Sequence, residues 1–289
     1  MLEKNENFLY FDAHFHLADC LELERESRVK PGNDTIDDLS LSGLTRQSLS
    51  NNNWSGCSCS HSIEEWEVVQ TALHSAVPEL VEGSHSKIRL SYGLHPQSAG
   101  WIDVKQCTTF LEQLLQQNQL HAIGEAGFDY FSQEFRDHSA LQEEMFNIQL
   151  ELALQYNLPL VVHCRKANEK LFEYSKQLKK LPAVLFHSFM GMPNEAKSLI
   201  ARGINGYFSF GKQVLNNNKK VIVCVKELPL DVLLAETDAP FQFLKGEQFT
   251  TLTDIKRVYD AFAGLRSEDA ETINKALCSN FNNLFSPKQ

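Results

Sequence analysis

Several histidines and carboxylates in this chain come at or just after the end of separate short apolar runs. They are His14, His16, Glu125, His163, His187 and Asp238. Imidazole nitrogens and carboxylate oxygens are common protein ligands of divalent metal ions. Any one of these side chains could instead be a polar residue of a turn or a hydrogen-bonded core residue. Because all of them share the same position relative to an apolar run, the joint pattern predicts one metal centre.

The first pair of candidates is His14 and His16, which follow an apolar run that begins at Phe8. Side chains two positions apart on a strand point to the same face, so both imidazoles can face one cavity. Taken alone, this His-x-His pattern fits a ligand pair and a polar turn equally well. The placement of the other candidates is what favours the ligand pair.

The apolar runs alternate with longer helical patterns, which is typical of repeated βα units and a parallel sheet. The predicted strands are residues 8–12, 54–58, 88–92, 121–124, 160–163, 184–186, 206–210 and 232–236. The predicted helices are residues 63–75, 104–118, 139–156, 167–179, 194–202, 217–227, 252–263 and 270–284. This order predicts an α/β fold of the (β/α)₈ TIM-barrel type. In such a barrel the carboxyl ends of all strands meet at the active-site face.

The length of the chain, 289 residues, matches one such barrel, so we expect a single domain over residues 1–289. The stretch from Cys20 to Asn53 is its most poorly patterned part and is rich in Asp, Ser, Asn and Leu. We expect a loop and a short helix there, within the first βα unit. Its contribution to substrate binding stays open.

The composition limits the class of protein. Hydrophobic residues make up 43% of the chain, and no stretch approaches the roughly 20 apolar residues of a membrane-spanning helix. The first residues lack the pattern of a secretory signal, and seven scattered cysteines fit reduced thiols, so we expect a cytoplasmic protein. The formal net charge of −10 disfavours broad adhesion to nucleic acid. Bound cations could still attract a phosphate substrate.

Six segments resemble the TatD-type metal-dependent DNase family, within the wider amidohydrolase-like metallohydrolases. In family order they read FDAHFHLAD (11–19), YGLHP (92–96), AIGEAGFDY (122–130), LPLVVHCRKA (158–167), LFHSFMG (185–191) and LLAETDAPF (233–241). The resemblance covers essentially the whole chain, and Phe128 replaces the leucine that is usual in the family. It implies that the candidates above are metal ligands and that His95 and Arg165 line the site. It also implies a deoxyribonuclease, and we expect an exonuclease that acts on an end of single-stranded DNA.

The residue types suggest how such a site would work with two divalent ions, which could be Mg²⁺, Mn²⁺ or Zn²⁺. Glu125 is long enough to place one oxygen on each of two ions about 3.5–4 Å apart. The ligands of one ion would be His14, His16 and Asp238, and those of the other mainly His163 and His187. Two ions that share a water lower its pKa. Asp238 is then the expected general base, a role typically worth about 10²–10⁴-fold in rate, although it could be a ligand alone.

The sequence leaves several assignments open. Arg165 could bind a phosphate oxygen or form a salt bridge within the barrel, and His95 could bind phosphate or cap a turn. The run from Cys57 to His61 reads Cys-Ser-Cys-Ser-His and looks like part of a metal site. A structural zinc would need a fourth ligand that cannot be placed, so we expect the thiols to be small core residues. His61 stays ambiguous.

Two rival functions also stay open. The first is a metallohydrolase that acts on an amide, an ester or a deaminase substrate, because the same ions polarise a carbonyl group and one fold supports many chemistries. The second is a non-catalytic metal-binding interaction protein built on the same barrel. In each case we expect a monomer that does not associate with membranes.

Overall fold

The computed structural model describes residues 8–26, 53–76 and 88–285. Within these residues, eight parallel strands form one sheet in the order β1 to β8. They are β1 (Tyr10–Phe15), β2 (Trp54–Ser60), β3 (Ile88–Tyr92), β4 (Ala122–Asp129), β5 (Leu160–Arg165), β6 (Val184–Phe186), β7 (Gly206–Phe210) and β8 (Leu233–Ala235). The sheet curls into a nearly closed barrel, which confirms the predicted TIM-barrel class.

Helices follow the strands and pack around the barrel. They are α1 (Leu17–Glu26), α2 (Ile63–Ala76), α3 (Val104–Gln116), α4 (Gln133–Asp137), α5 (Ser139–Tyr156), α6 (Asn168–Glu173), α7 (Ser175–Leu178), α8 (Pro193–Ala201), α9 (Lys219–Glu227), α10 (Ile255–Leu265) and α11 (Ala270–Phe285). The prediction of one helix over residues 167–179 was wrong, because the chain breaks at Tyr174. The ring of Tyr174 packs 4.8 Å from that of Phe146, and its hydroxyl donates to Glu143, so the break is anchored by tertiary contacts.

The first strand and the segment after the last strand meet along the seam of the barrel. The backbone N–H of His16 donates to the carbonyl of Ala239 (2.8 Å), and that of Asp238 donates to the carbonyl of His14 (3.0 Å). The buried carboxylate of Asp12 reaches across the same seam and accepts the N–H of Thr237 at 2.9 Å. Residues that are far apart in sequence are therefore held together at the carboxyl end of the barrel.

The barrel interior is filled by small and apolar side chains below the carboxyl face. Cys57 and Cys59 are fully buried in this cluster, which confirms the prediction that both thiols are core residues. The last helix, α11, contributes Phe281 to the same cluster, and its ring lies 4.9 Å from that of Phe11. A larger apolar layer lies between the sheet and the surrounding helices.

The poorly patterned stretch from Cys20 to Asn53 falls mostly outside the described residues. Its first residues belong to α1, which begins immediately after His16. Residues 27–52, for which the rest of that loop was predicted, lie outside the described residues. Within the described part of the chain, none of the helices combines the length and apolar character needed to cross a bilayer.

Candidate metal centre

Two irregularities in the strands aim His14 and Glu125 into the barrel. The register of β1 against β2 shifts around His14, and that of β4 against β5 shifts around Glu125. Such bulges redirect a side chain and are common beside active sites. Both residues therefore lie inside strands that run further than the sequence patterns predicted. Glu125 was expected after a strand ending at Gly124, but β4 continues to Asp129.

The position of Glu125 depends on two glycines beside it. Gly124 and Gly127 have φ angles of +137° and +146°, which side chains rarely allow. A Cβ atom on Gly127 would lie 1.9 Å from the backbone oxygen of His163, and one on Gly124 would lie 2.4 Å from that of Val161. Glycine at both positions lets β5 approach β4 closely. The side chains of Glu125 and His163 consequently meet.

The carboxylate of Glu125 is the centre of the site, and its two oxygens face different histidines. Oε2 lies 3.0 Å from Nε2 of His14 and 3.6 Å from Nε2 of His16. Oε1 lies 3.0 Å from Nε2 of His187 and 3.2 Å from Nδ1 of His163. The side chain of Glu125 is only 2% exposed. One buried carboxylate thus separates two groups of imidazoles.

Asp238 joins the group on the Oε2 side. Its Oδ1 lies 3.3 Å from Nε2 of His16 and 3.5 Å from Nε2 of His14. Its φ angle of +54° lies in the left-handed region, which is uncommon for residues other than glycine. Gln242 donates to Oδ2 of Asp238 at 2.6 Å and fixes the carboxylate. The structure therefore brings together all six side chains that the sequence singled out as ligands.

Outer partners hold three of the histidine rings. Nε2 of His163 lies 3.1 Å from Oδ2 of Asp129, and Nδ1 of His187 lies 3.3 Å from Oε2 of Glu236. The other nitrogen of each ring, Nδ1 of His163 and Nε2 of His187, faces Glu125. Such outer contacts orient a metal-binding imidazole and fix which nitrogen keeps its proton. His14 has an unusual partner, because its Nδ1 lies 3.1 Å from Sγ of Cys59.

Burial and neighbouring charges set the protonation of these groups. Burial raises the pKa of Glu125, but the surrounding histidines outweigh it and hold that pKa well below its usual value. Burial is likewise outweighed at Asp238, where the hydrogen bond to His16 and the histidine charges lower the pKa to about 2. Burial lowers the pKa of His16, but Asp238 and Glu125 raise it to about 9. The two charged carboxylates therefore attract positive charge into a buried site.

His95 both caps a turn and faces the site. It precedes the short turn Pro96–Ser98, and its Nδ1 accepts the N–H of Gln97 at 3.2 Å. Burial lowers its pKa to about 3, so the ring is neutral and carries its proton on Nε2. Nε2 lies 3.6 Å from Oε1 of Glu125. His95 therefore presents an N–H donor to the cavity.

Arg165 lies at the rim of the site rather than beside the carboxylates. Its guanidinium carbon lies 3.6 Å from the centroid of the Phe131 ring, and the side chain is exposed. Such stacking is a favourable cation–π contact. Among the described residues Arg165 forms no ion pair, so the salt bridge within the barrel that the sequence left open is not formed there.

These side chains surround a cavity of about 490 Å³ that opens at the carboxyl face. Glu125, His95 and Arg165 are among its lining residues, and so is Phe241. The ring of Phe241 is 48% exposed and meets the ring of His16 edge-on at 5.1 Å. The candidate metal-binding side chains and an exposed aromatic ring thus share one opening.

His61 belongs to the same site, although the sequence left it ambiguous. Its Nε2 lies 3.1 Å from Oε2 of Glu125, on the side of His14 and His16. The signal in the sequence was alternation, because Cys57, Cys59 and His61 are two positions apart and share one face of β2 and its extension. Ser58 and Ser60 lie between these residues, so the alternation does not stand out as an apolar pattern.

The chemistry of the donor set fits divalent cations. Several groups of at least three side chains place one ligand atom each within 4.8 Å of the others, and most of these groups share Glu125. Nε2 of His61 is buried and makes no hydrogen bond with the described residues, and Nδ1 of His16 is in the same situation. Buried polar atoms are normally paired. A cation would be a suitable partner for Nε2 of His61.

A TIM barrel with histidines and carboxylates around a shared glutamate at its carboxyl face defines a metal-dependent hydrolase. The chain belongs to the TatD-related DNase family, whose model matches residues 11–286. This match confirms the resemblance found in the sequence motifs. It also confirms the predicted class of enzyme, a metal-dependent hydrolase of a nuclease family.

Individual relatives agree with this assignment. An uncharacterized metal-dependent hydrolase of Mycoplasma genitalium is 30% identical over 241 residues, which cover 80% of this chain and 81% of that protein. The 3'-5' ssDNA/RNA exonuclease TatD of Erwinia tasmaniensis is 35% identical over 154 residues. That match covers 52% of this chain and 57% of the exonuclease.

A solved structure supports the fold independently. The crystal structure of YJJV, a TatD homolog from Escherichia coli, superposes with a TM-score of 0.76 at 23% identity. The match covers 96% of this chain and 98% of that one. The barrel architecture is therefore shared over nearly the full length of both.

Proposed function

We propose that this chain is a divalent-metal-dependent deoxyribonuclease that hydrolyses phosphodiester bonds from an end of a single strand. The observation that carries the proposal is the division of the Glu125 carboxylate between two groups of histidines. A ligand bridge between two cations is suited to an in-line displacement at phosphorus. The name of the Erwinia tasmaniensis relative, an exonuclease for single-stranded DNA and RNA, supports the substrate class.

In the proposed enzyme, Glu125 would help to hold two divalent ions, which could be Mg²⁺, Mn²⁺ or Zn²⁺, together with the residues on either side of its carboxylate. The residues on the Oε2 side are His14, His16 and Asp238, and those on the Oε1 side are His163 and His187. When bound, such ions supply Lewis acidity that stabilises charge on a phosphoryl oxygen and favours deprotonation of water. Asp129 and Glu236 keep the rings of His163 and His187 correctly oriented.

The remaining polar groups have distinct roles in the proposed reaction. Asp238 accepts the proton of the attacking water, and the hydrogen bond from Gln242 keeps its carboxylate in place. His95 donates its Nε2–H to an oxygen of the scissile phosphate. Arg165, at the rim of the cavity, contributes positive charge for the phosphate of an entering strand.

The dimensions of the cavity favour a strand end over an intact duplex. Cavities of about 300–1,000 Å³ suit small ligands, and this one, at about 490 Å³, admits a nucleotide-sized group. Phe241 offers an exposed ring at the opening, on which an unpaired base can stack. A paired base is already stacked between its neighbours and is unavailable for this contact.

The proposal is tested with labelled single- and double-stranded DNA and metal-stripped protein. Cleavage should return when Mg²⁺, Mn²⁺ or Zn²⁺ is restored, and products should shorten from an end of the single strand. Asp238→Asn should lower the rate by about 10²–10⁴-fold. Asp260→Asn, which changes an exposed carboxylate on α10, should cleave like the wild type. Equal cleavage by Asp238→Asn would show that the activity comes from another source.

The same preparation separates the rival functions. Metal-dependent turnover of small amides or esters, without cleavage of DNA, would favour the alternative metallohydrolase. Tight metal binding without turnover of either substrate class would favour a non-catalytic metal-binding protein. Labelled RNA in the same assay decides whether DNA is the preferred substrate.

We also propose that the enzyme is a cytoplasmic monomer and that residues 1–289 form one domain. No disulfide forms among the residues that the structure describes, as expected in a reducing compartment. Light scattering on the purified protein tests the monomer. Thermal unfolding tests the single domain, which predicts one cooperative transition.

A further inference from the structure

The position of His61 is fixed by the start of the helix that follows it. His61 comes directly after β2, and its backbone N–H donates to Oε2 of Glu65 at 2.7 Å. The N–H of Glu65 in turn donates to Oγ of Ser62 at 3.1 Å. These reciprocal bonds resemble a capping box and stabilise the first turn of α2. The backbone of His61 is therefore held by local structure that the metal centre does not require.

The imidazole of His61 is held between two other rings of the site. Its centroid lies 4.9 Å from that of His16 and 4.7 Å from that of His95. The side chain is 18% exposed, and its Nε2 is buried. Packing on both sides thus directs this nitrogen towards the carboxylate of Glu125.

Nε2 of His61 is close to Glu125 but not hydrogen-bonded to it. The two atoms are 3.1 Å apart, and the geometry of the contact does not make a hydrogen bond within the described residues. A buried polar atom left without a partner usually costs about 1–3 kcal/mol. A cation placed between the imidazole and the carboxylate would satisfy both groups.

His61 and His95 differ in what they offer. The Nδ1 atom of His95 accepts a backbone N–H, so its Nε2 carries a proton and acts as a donor. Nε2 of His61 faces the same carboxylate oxygen as Nε2 of His14 and Nε2 of His16. The geometry therefore places His61 with the metal-binding histidines and His95 with the donors.

We propose that His61 is an additional metal ligand of this chain, and that it completes a nitrogen-rich position with His16 and Glu125. Imidazole suits Zn²⁺, and also Fe²⁺ or Co²⁺, better than Mg²⁺, which prefers oxygen ligands. This position consequently favours Zn²⁺, Fe²⁺ or Co²⁺ over Mg²⁺. The inference rests on the proposed metal-dependent function and adds a ligand to it that the six sequence candidates do not include.

The test measures metal affinity directly, without substrate. Metal-free wild-type protein and His61→Ala are titrated with Zn²⁺ in competition with a chromophoric chelator. Loss of outer partners alone typically costs 10–100-fold in affinity, so we expect His61→Ala to bind one ion at least about ten-fold more weakly. The ion on the side of His163 and His187 should bind as before. Mg²⁺ affinity should change less than Zn²⁺ affinity.

The matched control is His74→Ala. His74 is an exposed histidine on α2, and its Nδ1 contacts the backbone carbonyl of Gln70 at 2.7 Å. The His74→Ala variant should bind Zn²⁺ with the same affinity as the wild type. The visible spectrum of the Co²⁺ forms should change in His61→Ala but not in His74→Ala, because a nitrogen ligand is lost in the first alone. Identical Zn²⁺ affinities and Co²⁺ spectra in His61→Ala and the wild type would overturn the proposal.

A second variant separates metal binding from folding. His61→Gln keeps a polar side chain at the same place but lacks the imidazole, and it should show the same loss of Zn²⁺ affinity. Thermal unfolding of the metal-free proteins should give similar midpoints for His61→Gln and the wild type. A wild-type Zn²⁺ affinity in His61→Gln would contradict the proposal.

DNA cleavage by the same proteins keeps the two proposals apart. If the wild type binds Zn²⁺ through His61 but cleaves no nucleic acid, the deoxyribonuclease proposal fails and the ligand assignment stands. If the wild type cleaves DNA while His61→Ala keeps full Zn²⁺ affinity, the ligand assignment fails. A raised KM for DNA at unchanged Zn²⁺ affinity would instead make His61 a substrate contact.

Discussion

The carboxylate of Asp12 accepts two hydrogen bonds from Thr237, one from the backbone N–H at 2.9 Å and one from the hydroxyl at 2.6 Å. Asp12 lies on β1 and Thr237 follows β8, so this pair joins the first and last strands of the barrel. His14 lies two positions after Asp12, and Asp238 directly follows Thr237; both are candidate metal ligands. The contact that closes the barrel therefore also sets the distance between candidate ligands from its two ends.

Removing the hydroxyl of Thr237 should weaken both the barrel and the metal centre. Thr237→Val leaves the buried Oδ2 of Asp12 without its donor, which should cost about 1–3 kcal/mol of unfolding free energy. Zn²⁺ affinity should fall as well, because His14 and Asp238 lose a shared anchor. Chemical denaturation and the chelator competition measure the two effects.

Thr250→Val provides the control for that substitution. Thr250 is also buried, but its hydroxyl makes no hydrogen bond with the described residues, so valine should be neutral or slightly stabilising. Equal unfolding free energies for Thr237→Val and the wild type would contradict the role of the seam contact.

Cys59 should position His14 through its thiol. Its Sγ accepts the hydroxyl of Ser91 at 2.7 Å and lies 3.1 Å from Nδ1 of His14. Cys59→Ala removes this orienting contact, and outer contacts of this kind are typically worth 10–100-fold in metal affinity. We expect Zn²⁺ to bind at least about ten-fold more weakly.

Cys57→Ala is the comparison for Cys59→Ala. Both thiols are fully buried in the barrel interior and both variants create a similar cavity, but the thiol of Cys57 donates to the hydroxyl of Ser91 at 3.9 Å, whereas that of Cys59 lies beside His14. The two variants should lose similar unfolding free energy, and Cys59→Ala alone should lose metal affinity. A matching loss in both would show that the effect comes from packing.

Phe241 should contribute to substrate binding more than to chemistry. Stacking of one base on an aromatic ring is worth about 1–3 kcal/mol by alanine substitution. Phe241→Ala should therefore raise KM for single-stranded DNA by roughly ten-fold while kcat changes little. Phe243→Ala removes an exposed ring that does not line the cavity, and it should leave KM unchanged. Steady-state kinetics with a labelled single strand measure both variants. A KM equal to that of the wild type in Phe241→Ala would contradict the stacking role.

Lys212 holds together the loop that follows β8. Its side chain is fully buried, and it pairs with Glu247 and with Asp254, the latter at 3.0 Å. Arg257 also contacts both carboxylates, at 2.8 and 2.7 Å. Hydrogen bonds from Lys212, and next from Arg257 and the backbone of Leu244, lower the pKa of Glu247 to about 2. Burial raises the pKa of Asp254, but Thr251, Arg257 and Lys212 together bring it below its usual value.

These depressed pKa values predict a dependence of stability on pH. A carboxylate whose pKa is lower in the folded state stabilises the protein above its unfolded pKa of about 4, and the contribution disappears as pH falls through the folded pKa. Lys212→Met should lower unfolding free energy by about 1–3 kcal/mol at pH 7. Between about pH 5 and pH 2, the unfolding free energy of Lys212→Met should fall less steeply with pH than that of the wild type.

Unfolding midpoints at several pH values check this expectation. Lys220→Met, which changes an exposed lysine on α9, serves as the control and should follow the wild type throughout. Parallel pH profiles for Lys212→Met and the wild type would contradict the role of the buried lysine.

The sequence predicted the barrel, and it placed at one face the candidate ligands that end plain apolar strands. His163 follows Leu160-Val161-Val162, and His187 follows Val184-Leu185-Phe186. Both strands are buried on two faces, so their patterns are continuous and their ends are easy to place. The motif order then related Glu125, His14 and Asp238 to the same face, where the structure has them.

Other features depend on contacts that sequence spacing does not contain. A bulge shifts register without changing the apolar pattern, so the inclusion of Glu125 within β4 was not visible. The stacking of Arg165 on Phe131 depends on how the end of β5 meets the loop that follows β4. His61 was different, because strand alternation from Cys57 and Cys59 could have placed it in the site.

Closure of the barrel has a consequence for how the protein is made. Asp12 and Thr237 are 225 positions apart, and the candidate cation site draws side chains from both edges of that seam. A chain still on the ribosome therefore lacks the complete set of candidate ligands until Asp238 has emerged, and a product terminated before that position lacks Asp238 altogether. If these side chains bind a cation, its tight capture would report that synthesis has passed Asp238 and that the ring has closed.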